Sequence, residues 1–227
     1  MKILLTNDDG IEAPGLAALA NALQGELVIV APAQAMSECS HQVTTRDPLK
    51  VERRNDRKYA IHGTPADCVR MALTCLLQGW RPDWILSGIN LGGNLGVDVY
   101  ISGTVAAARE AAIHGIPAIA FSHYRKKNLD VEWDAATRRV QSAFTLLKEK
   151  DRPVHSFWNV NLPHLLSGEP DPEIRFCTPS LRSLPIRYIL ENGAYRYAGV
   201  YAQRDKEAGT DVEICFNGQT AASLISL

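Results

Sequence analysis

The sequence predicts an α/β fold of three-layer, Rossmann-like type: a mostly parallel sheet with helices on both faces, plus a C-terminal β-rich arm. Three observations predict it. Short apolar runs such as Leu27-Val28-Ile29-Val30 are continuous rather than alternating, as expected of strands covered on both faces. Segments with apolar residues at helical spacing separate these runs, and such alternation argues for parallel pairing through right-handed crossovers. Past Pro163 the texture changes, and Pro170, Pro172, Pro179 and Pro185 divide the chain into short pieces.

Taken in order, Lys2–Thr6 reads as the first strand. Residues 14–23 read as a helix, with Leu16, Leu19, Ala20 and Leu23 on one face and Pro14 in its first turn. Leu27–Val30 is the second strand, closed by Ala31-Pro32. Residues 33–47 form a long polar loop, and residues 48–62 a hairpin whose mixed-charge tip, 53–58, is a solvated turn. Thr64-Pro65-Ala66-Asp67 opens a helix: Thr64 can cap it, Pro65 suits its first position, and Asp67 can reach back. Val69, Leu73, Leu76 and Leu77 form its buried stripe. Trp84–Ser87 is a strand followed by a glycine-rich loop. The helix after Ser102-Gly103-Thr104 turns Val105, Ala108 and Ala112 inward. Ala118–Ser122 is a further strand. Ala136, Val140, Phe144 and Leu147 mark a helix to about Lys150, and Phe157–Asn161 is the last core strand. Beyond it, 195–201 and 212–216 read as strands, with Asn192-Gly193 and Asn217-Gly218 as turn signals. The expected division is a core over 1–165 and, over 166–227, an arm that packs on it or on a partner subunit.

The 227 residues suffice for one large core. A net charge of −1 gives no bulk attraction for nucleic acid or an anionic membrane. No apolar run approaches the length of a membrane span. The chain enters a strand at once, with no basic region or cleavage site, so a secretory signal is not expected. Five cysteines, an odd number without a CxxC pair, suit free thiols in a reducing, cytoplasmic setting.

The polar groups gather just past the strands. Asp8 and Asp9 are adjacent carboxylates at the end of a buried strand, where like charges repel and a low dielectric amplifies the cost. A cation offsets that cost, although Asn-Asp-Asp-Gly is also good turn chemistry. In a parallel sheet this loop shares an edge with the loop holding Ser37 and the loop holding Asn90 and Asn94. Carboxylates, a hydroxyl and an amide carbonyl are hard oxygen donors that suit Mg²⁺ or Mn²⁺. Ser102-Gly103-Thr104 at a helix start can receive a phosphate, or can be an ordinary cap. Neither a Walker A loop nor a dinucleotide fingerprint is present. The six histidines form no metal-ligand pair by spacing, and only His41 falls in a loop of the expected site. No GxSxG elbow occurs.

Several segments in order resemble the SurE family of stationary-phase survival proteins, divalent-metal 5′-nucleotidases. They are Ile3–Ile11, Ala13-Pro14-Gly15, Val30-Ala31-Pro32, Gly63–Val69, Ser87–Asn90, Gly92–Gly96, Ser102–Ala108 and Asn159–Pro163. The resemblance covers about residues 1–165. It implies one divalent ion, Mg²⁺ or Mn²⁺, held by Asp8, Asp9, Asn90 and a serine of the second loop, best matched by Ser37 with Ser40 as the alternative. It places the substrate phosphate at Asn94 and at Ser102, Gly103 and Thr104. It implies a nucleoside monophosphate substrate, and a homodimer or homotetramer through the C-terminal arm. The family commonly has a basic residue before that serine and a glycine after it, where this chain has Met36 and Glu38.

The expected reaction is hydrolysis of a nucleoside 5′-monophosphate, with Asp8 and Asp9 as catalytic carboxylates and the ion activating water. The alternatives are a nucleotide-binding module without turnover, a structural role for the arm, and a phospho-accepting aspartate.

Overall fold

A computed structural model of the chain describes residues 1–126, 129–166 and 168–227. In chain order the elements are β1 (Lys2–Thr6), α1 (Pro14–Asn21), β2 (Glu26–Pro32), β3 (Val51–Asn55), β4 (Lys58–Ile61), α2 (Pro65–Met71), β5 (Trp84–Leu91), α3 (Gly103–Ile113), β6 (Ala118–His123), α4 (Trp133–Leu147), β7 (Ser156–Leu162), β8 (Ile174–Cys177), β9 (Tyr188–Glu191), β10 (Ala194–Tyr197), α5 (Asp211–Phe216) and β11 (Thr220–Ser226).

Among the described residues, nine strands form one sheet in the order β3-β4-β2-β1-β5-β6-β7-β11-β8. The strands from β4 to β7 run parallel. The chain moves from β1 outward to β2, then returns to the other flank of β1 as β5. That reversal is a topological switch point, the place where open α/β sheets bind ligands at the carboxyl ends of their strands. Asp8 and Asp9 follow β1 directly, and Asn90 lies at the end of β5, so the switch point brings them together.

Side chains alternate across the sheet, which explains two cores. Ile3 and Leu5 face α1 and α4, in a cluster with Leu16, Leu19, Val140 and Phe144. Leu4 faces α2 and α3 with Val28, Val30, Val69 and Val105. Each fully buried Leu or Ile contributes about 2 kcal/mol of transfer free energy before entropy is counted. A third, smaller cluster joins Leu95 of the glycine-rich loop to Tyr124, Val212, Cys215 and Ala221.

Local signals explain most boundaries. Thr64 accepts from the Asp67 N–H while Asp67 accepts from the Thr64 N–H, so the expected capping box opens α2. Pro14 begins α1. Asn192-Gly193 turns the β9–β10 hairpin, with both residues at positive φ.

The C-terminal region departs from expectation in three ways. Residues 212–216, read as a strand, are helical: α5 buries Val212 and Cys215, three residues apart on one face, against the third cluster. Val212, Ile214, Cys215 and Phe216, broken only by Glu213, fit either period, and packing decided it. Asn217-Gly218 therefore ends a helix rather than turning a hairpin. Second, β7 is not the last core strand, because β11 pairs antiparallel with it and β8 pairs parallel with β11. The small residues of Thr220-Ala221-Ala222-Ser223 gave no strand signal. Third, strand structure at 195–201 stops at Tyr197. In the core, β5 runs on past Ser87 to Leu91, with an irregular register between Ser87 and Asn90. No helix among the described residues is long and apolar enough to cross a membrane.

Candidate active site

The site is built on the turn after β1. Asn7 donates its side-chain amide to the Gly10 carbonyl at 2.8 Å, closing the turn around Asp8 and Asp9. Gly10 has φ +99°, a conformation a side chain would strain, and a Cβ there would press to 3.2 Å on the Gln34 backbone. Asp8 is 6% exposed. Thr104 donates its hydroxyl to Asp8 Oδ1, and the Thr104 backbone N–H also stabilises that carboxylate. Burial nevertheless dominates, and with the Asp9 charge beside it raises the Asp8 pKa to about 6. Asp9 is raised too, by burial, and accepts the Leu91 N–H at 3.1 Å.

The second strand loop is fixed to the first. Met36 N–H donates to the Asp8 carbonyl at 2.7 Å, which ties the segment carrying the exposed Ser37 to the turn after β1. Ser40 is committed elsewhere: its hydroxyl donates to the Tyr100 carbonyl at 2.9 Å and its N–H to the Ile101 carbonyl at 3.2 Å. His41 anchors the same loop on Glu110, Nε2 to Oε2 at 2.7 Å. Arg70 Nε donates to the other Glu110 oxygen at 2.7 Å. Burial alone would raise the Glu110 pKa, but its bonds from His41 and Arg70 outweigh burial and hold it at about 2. His41 is thus a pin for the loop.

Asn90 donates Nδ2 to the Gly92 carbonyl at 2.9 Å, which leaves its Oδ1 available as a donor to a cation. Asn94 is gripped on all sides. Its N–H donates to Asn161 Oδ1 at 2.8 Å, its carbonyl accepts from Asn159 and Asn161, and its Nδ2 donates to Ser122 Oγ at 2.7 Å. Ser102 is the N-cap of α3 and accepts the Val105 N–H at 3.1 Å, as the capping alternative held. A Cβ on Gly103 would stand 2.9 Å from Cys39 Sγ and 3.0 Å from Asp8 Cβ, so only glycine lets this helix start approach the carboxylates.

The donor set fits a hard dication. Asp8, Asp9, Asn90 Oδ1 and the Ser37 hydroxyl are all oxygens, and two adjacent raised carboxylates are the signature of a site that gains from positive charge. Around them the structure adds residues that sequence reasoning passed over. Cys39 lies against Gly103 with its thiol pKa raised by burial and by Asp8. Asn159 and Asn161 share one side of β7, a period-two signal visible in the sequence. Asp98, Tyr201 and Arg204 meet across more than a hundred residues and left no local signal.

An open parallel sheet with paired carboxylates at its switch point and a glycine-rich approach to a helix start defines a class: α/β proteins that bind an anionic ligand beside a hard cation at the carboxyl edge. The family profile described as "Survival protein SurE" matches residues 3–184. The chain is 49% identical over 222 residues to a putative 5′-nucleotidase of Nostoc, covering 97% of each. It is 37% identical over 238 residues to the 5′-nucleotidase SurE of Caulobacter vibrioides, covering 98% of this chain and 89% of that one. The crystal structure of a SurE protein from Aquifex aeolicus superposes with a TM-score of 0.88 at 33% identity, covering 100% of this chain and 93% of that one. The chain belongs to the SurE family.

Proposed function

We propose that this protein is a 5′-nucleotidase, a phosphomonoesterase that hydrolyses nucleoside 5′-monophosphates to nucleoside and phosphate. One observation carries the reading: the Thr104 hydroxyl meets Asp8, so the start of α3 and the paired carboxylates form a single site. The names of the relatives, 5′-nucleotidases at 37–49% identity, support it.

Asp8, Asp9, Asn90 and Ser37 would hold one divalent ion, Mg²⁺ or Mn²⁺. Bound there, the ion would neutralise phosphoryl charge and lower the proton affinity of water. The chain's own residues do the rest. Asp8 and Asp9 present the negative charge that would hold the cation against which an anionic phosphoryl group can sit. Thr104 orients Asp8 through its hydroxyl. The Gly103 N–H, at the start of α3 beside Asp8, would take a phosphoryl oxygen as charge redistributes, while the Thr104 N–H is held by Asp8. Asn94, held through one side-chain N–H on Ser122, would offer its other N–H to the substrate phosphate.

We also read the protein as a homodimer or homotetramer joined through its C-terminal arm, and as cytoplasmic. The exposed Tyr188, Leu190 and Tyr195 on the β9–β10 hairpin support the first, and the free cysteines support the second.

The test is phosphate release from AMP, GMP and simple phosphate monoesters with Mg²⁺, Mn²⁺ or chelator. Release that requires the ion and stops with chelator is expected. Tight AMP binding with no release under any metal would replace this reading with that of a binding module.

A further inference from the structure

The loop between β5 and α3 carries Asn94 and leads into Ser102-Gly103-Thr104. Gly92, Gly93 and Gly96 make it costly to order, since glycine loses the most backbone freedom on folding. Its order is imposed from the far end of the chain. Arg204 is 4% exposed, and its Nη1 pairs with Asp98 Oδ2 at 2.5 Å while Nη2 donates to the Leu95 carbonyl at 2.9 Å. Tyr201 donates its hydroxyl to the same Asp98 oxygen at 2.6 Å and lies 3.2 Å from the Gly93 carbonyl. Asp211 accepts the Gly96 N–H at 2.7 Å and the Ser180 N–H at 2.9 Å. Gly96, at φ +54°, sits so close to Ser180 that a Cβ would fall 2.6 Å from its carbonyl oxygen. Leu95 is fully buried beside Val212 and Cys215.

Asp98 passes this constraint on. Its backbone carbonyl accepts the Ile101 N–H at 3.1 Å and the Ser102 N–H at 3.0 Å, and Ser102 caps α3. A continuous path of bonds therefore runs from Arg204 to Asp98, to Ser102, and through the first turn of α3 to Thr104 and Asp8. A buried ion pair is a weak source of net stability, because desolvation offsets much of its attraction. Geometric specification is the better account of this one.

We infer that Arg204, with Asp98 and Tyr201, is a positioning residue for phosphate binding: it holds residues 93–102 in the one arrangement that sets the start of α3 against the carboxylate pair. The inference rests on the nucleotidase reading, but the latch itself can be tested without it.

The experiment compares wild type with Arg204→Met, Arg204→Lys and Tyr201→Phe. Hydrogen–deuterium exchange of peptides spanning 93–102 reads the loop, with β1 as internal reference. Arg204→Met is expected to speed exchange there about tenfold while β1 stays protected. With AMP, its KM should rise and kcat/KM fall about tenfold to a hundredfold, because small misplacements of a binding loop are costly. Arg204→Lys, which keeps the charge and one donor, should recover part of both effects. If Arg204→Met fails to fold, Tyr201→Phe removes a single hydroxyl and should show the same local pattern more weakly. Wild-type exchange and wild-type KM in a folded Arg204→Met would overturn the inference, as would equal loosening of β1 and the loop in Tyr201→Phe. If wild type releases no phosphate from any monoester, the nucleotidase reading fails, and exchange alone still decides whether the latch exists.

Discussion

Thr104 and Asp8 lie 96 residues apart in the chain, yet the threonine hydroxyl donates directly to the aspartate carboxylate. The bond links the helix that can receive a phosphate to the carboxylate that can receive a cation. It also lowers the proton affinity of Asp8 against the opposing effect of burial. Thr104→Val keeps the shape and removes the donor, so Asp8 should hold its proton more tightly and bind metal less well. The expected loss is about tenfold to a hundredfold in Mn²⁺ affinity, as for other residues that orient a ligand. Calorimetric titration with Mn²⁺ checks it, and Thr104→Ser should restore most of the loss. Equal affinities in Thr104→Val and wild type would show that the bond orients nothing.

Asp8 also sets a pH dependence whose sign is unusual for a carboxylate. Its folded pKa, about 6, is above the ordinary 3.8, so the folded state binds the proton more tightly than the unfolded state. Stability is therefore greatest below pH 4 as far as this group is concerned, and is lost as pH rises through 6. The loss is on the order of 2–3 kcal/mol. Glu110 acts with the opposite sign in a different window: held at about 2, it contributes above its ordinary 4.5 and loses that contribution as pH falls towards 2. His123, held at about 4 by burial, acts in the same window as Asp8 with the opposite sign, so the Asp8 contribution is read from the difference between wild type and an Asp8 variant. In chelator, Asp8→Asn should raise Tm relative to wild type, and by more at pH 7 than at pH 4.5. The same variant should lose at least about a hundredfold in kcat/KM with saturating Mn²⁺. Full activity in a folded Asp8→Asn would end the proposed mechanism.

These predictions use residues that the sequence exposed to different degrees. The sheet core was legible because apolar runs between helical-period segments have few other uses, and β1, β2 and β6 fall close to where the pattern puts them, whereas α2 stops at Met71, short of Leu73, Leu76 and Leu77 in the stripe expected on it. Asp8 and Asp9 were legible because a charged pair at the end of a buried strand is expensive. Residues 212–216 were not, since so short and mostly apolar a segment fits a helix face as well as a strand. β11 was hidden by its small residues; its strand character comes from the pairing with β7. The contact of Arg204 with Asp98 spans 106 positions and carries no periodicity, so only the folded chain reveals it.

Ser37 and Ser40 separate by geometry. The Ser40 hydroxyl already donates to the Tyr100 carbonyl at 2.9 Å, and its backbone sits at φ +51°, so it serves to fasten one loop to the next. Ser37 follows the residue tied to the Asp8 carbonyl and has a free, exposed hydroxyl. Ser37→Ala should weaken Mn²⁺ binding with little change in Tm. Ser40→Ala should lower stability by about 1 kcal/mol, the scale of one lost hydrogen bond, with Mn²⁺ affinity intact. Titration and thermal melting of both variants check the pair. The reverse pattern would move the ligand role to Ser40.

The β9–β10 hairpin gives a test of assembly. Its bonds are almost all its own: Arg196 pairs with Glu191 at 2.8 Å, Ala198 N–H donates to the Arg187 carbonyl at 2.8 Å, and Tyr197 donates to the Pro185 carbonyl at 2.8 Å. Ile186, Tyr188, Leu190 and Tyr195 are each more than half exposed. A lone two-stranded hairpin is marginal in water, and a cluster of exposed apolar side chains on it gains stability when another surface covers it. A second copy of the chain supplies that surface in the proposed assembly. Replacing residues 186–198 with a short Gly-Ser link should leave the sheet intact, because β8 and β11 pair without help from the hairpin. It should also reduce the mass measured by light scattering to that of one chain. Since Tyr201 and Arg204 lie just past the excised segment, residual phosphate release by the shortened protein also reports whether seating the phosphate loop needs the assembly or only the latch within one chain.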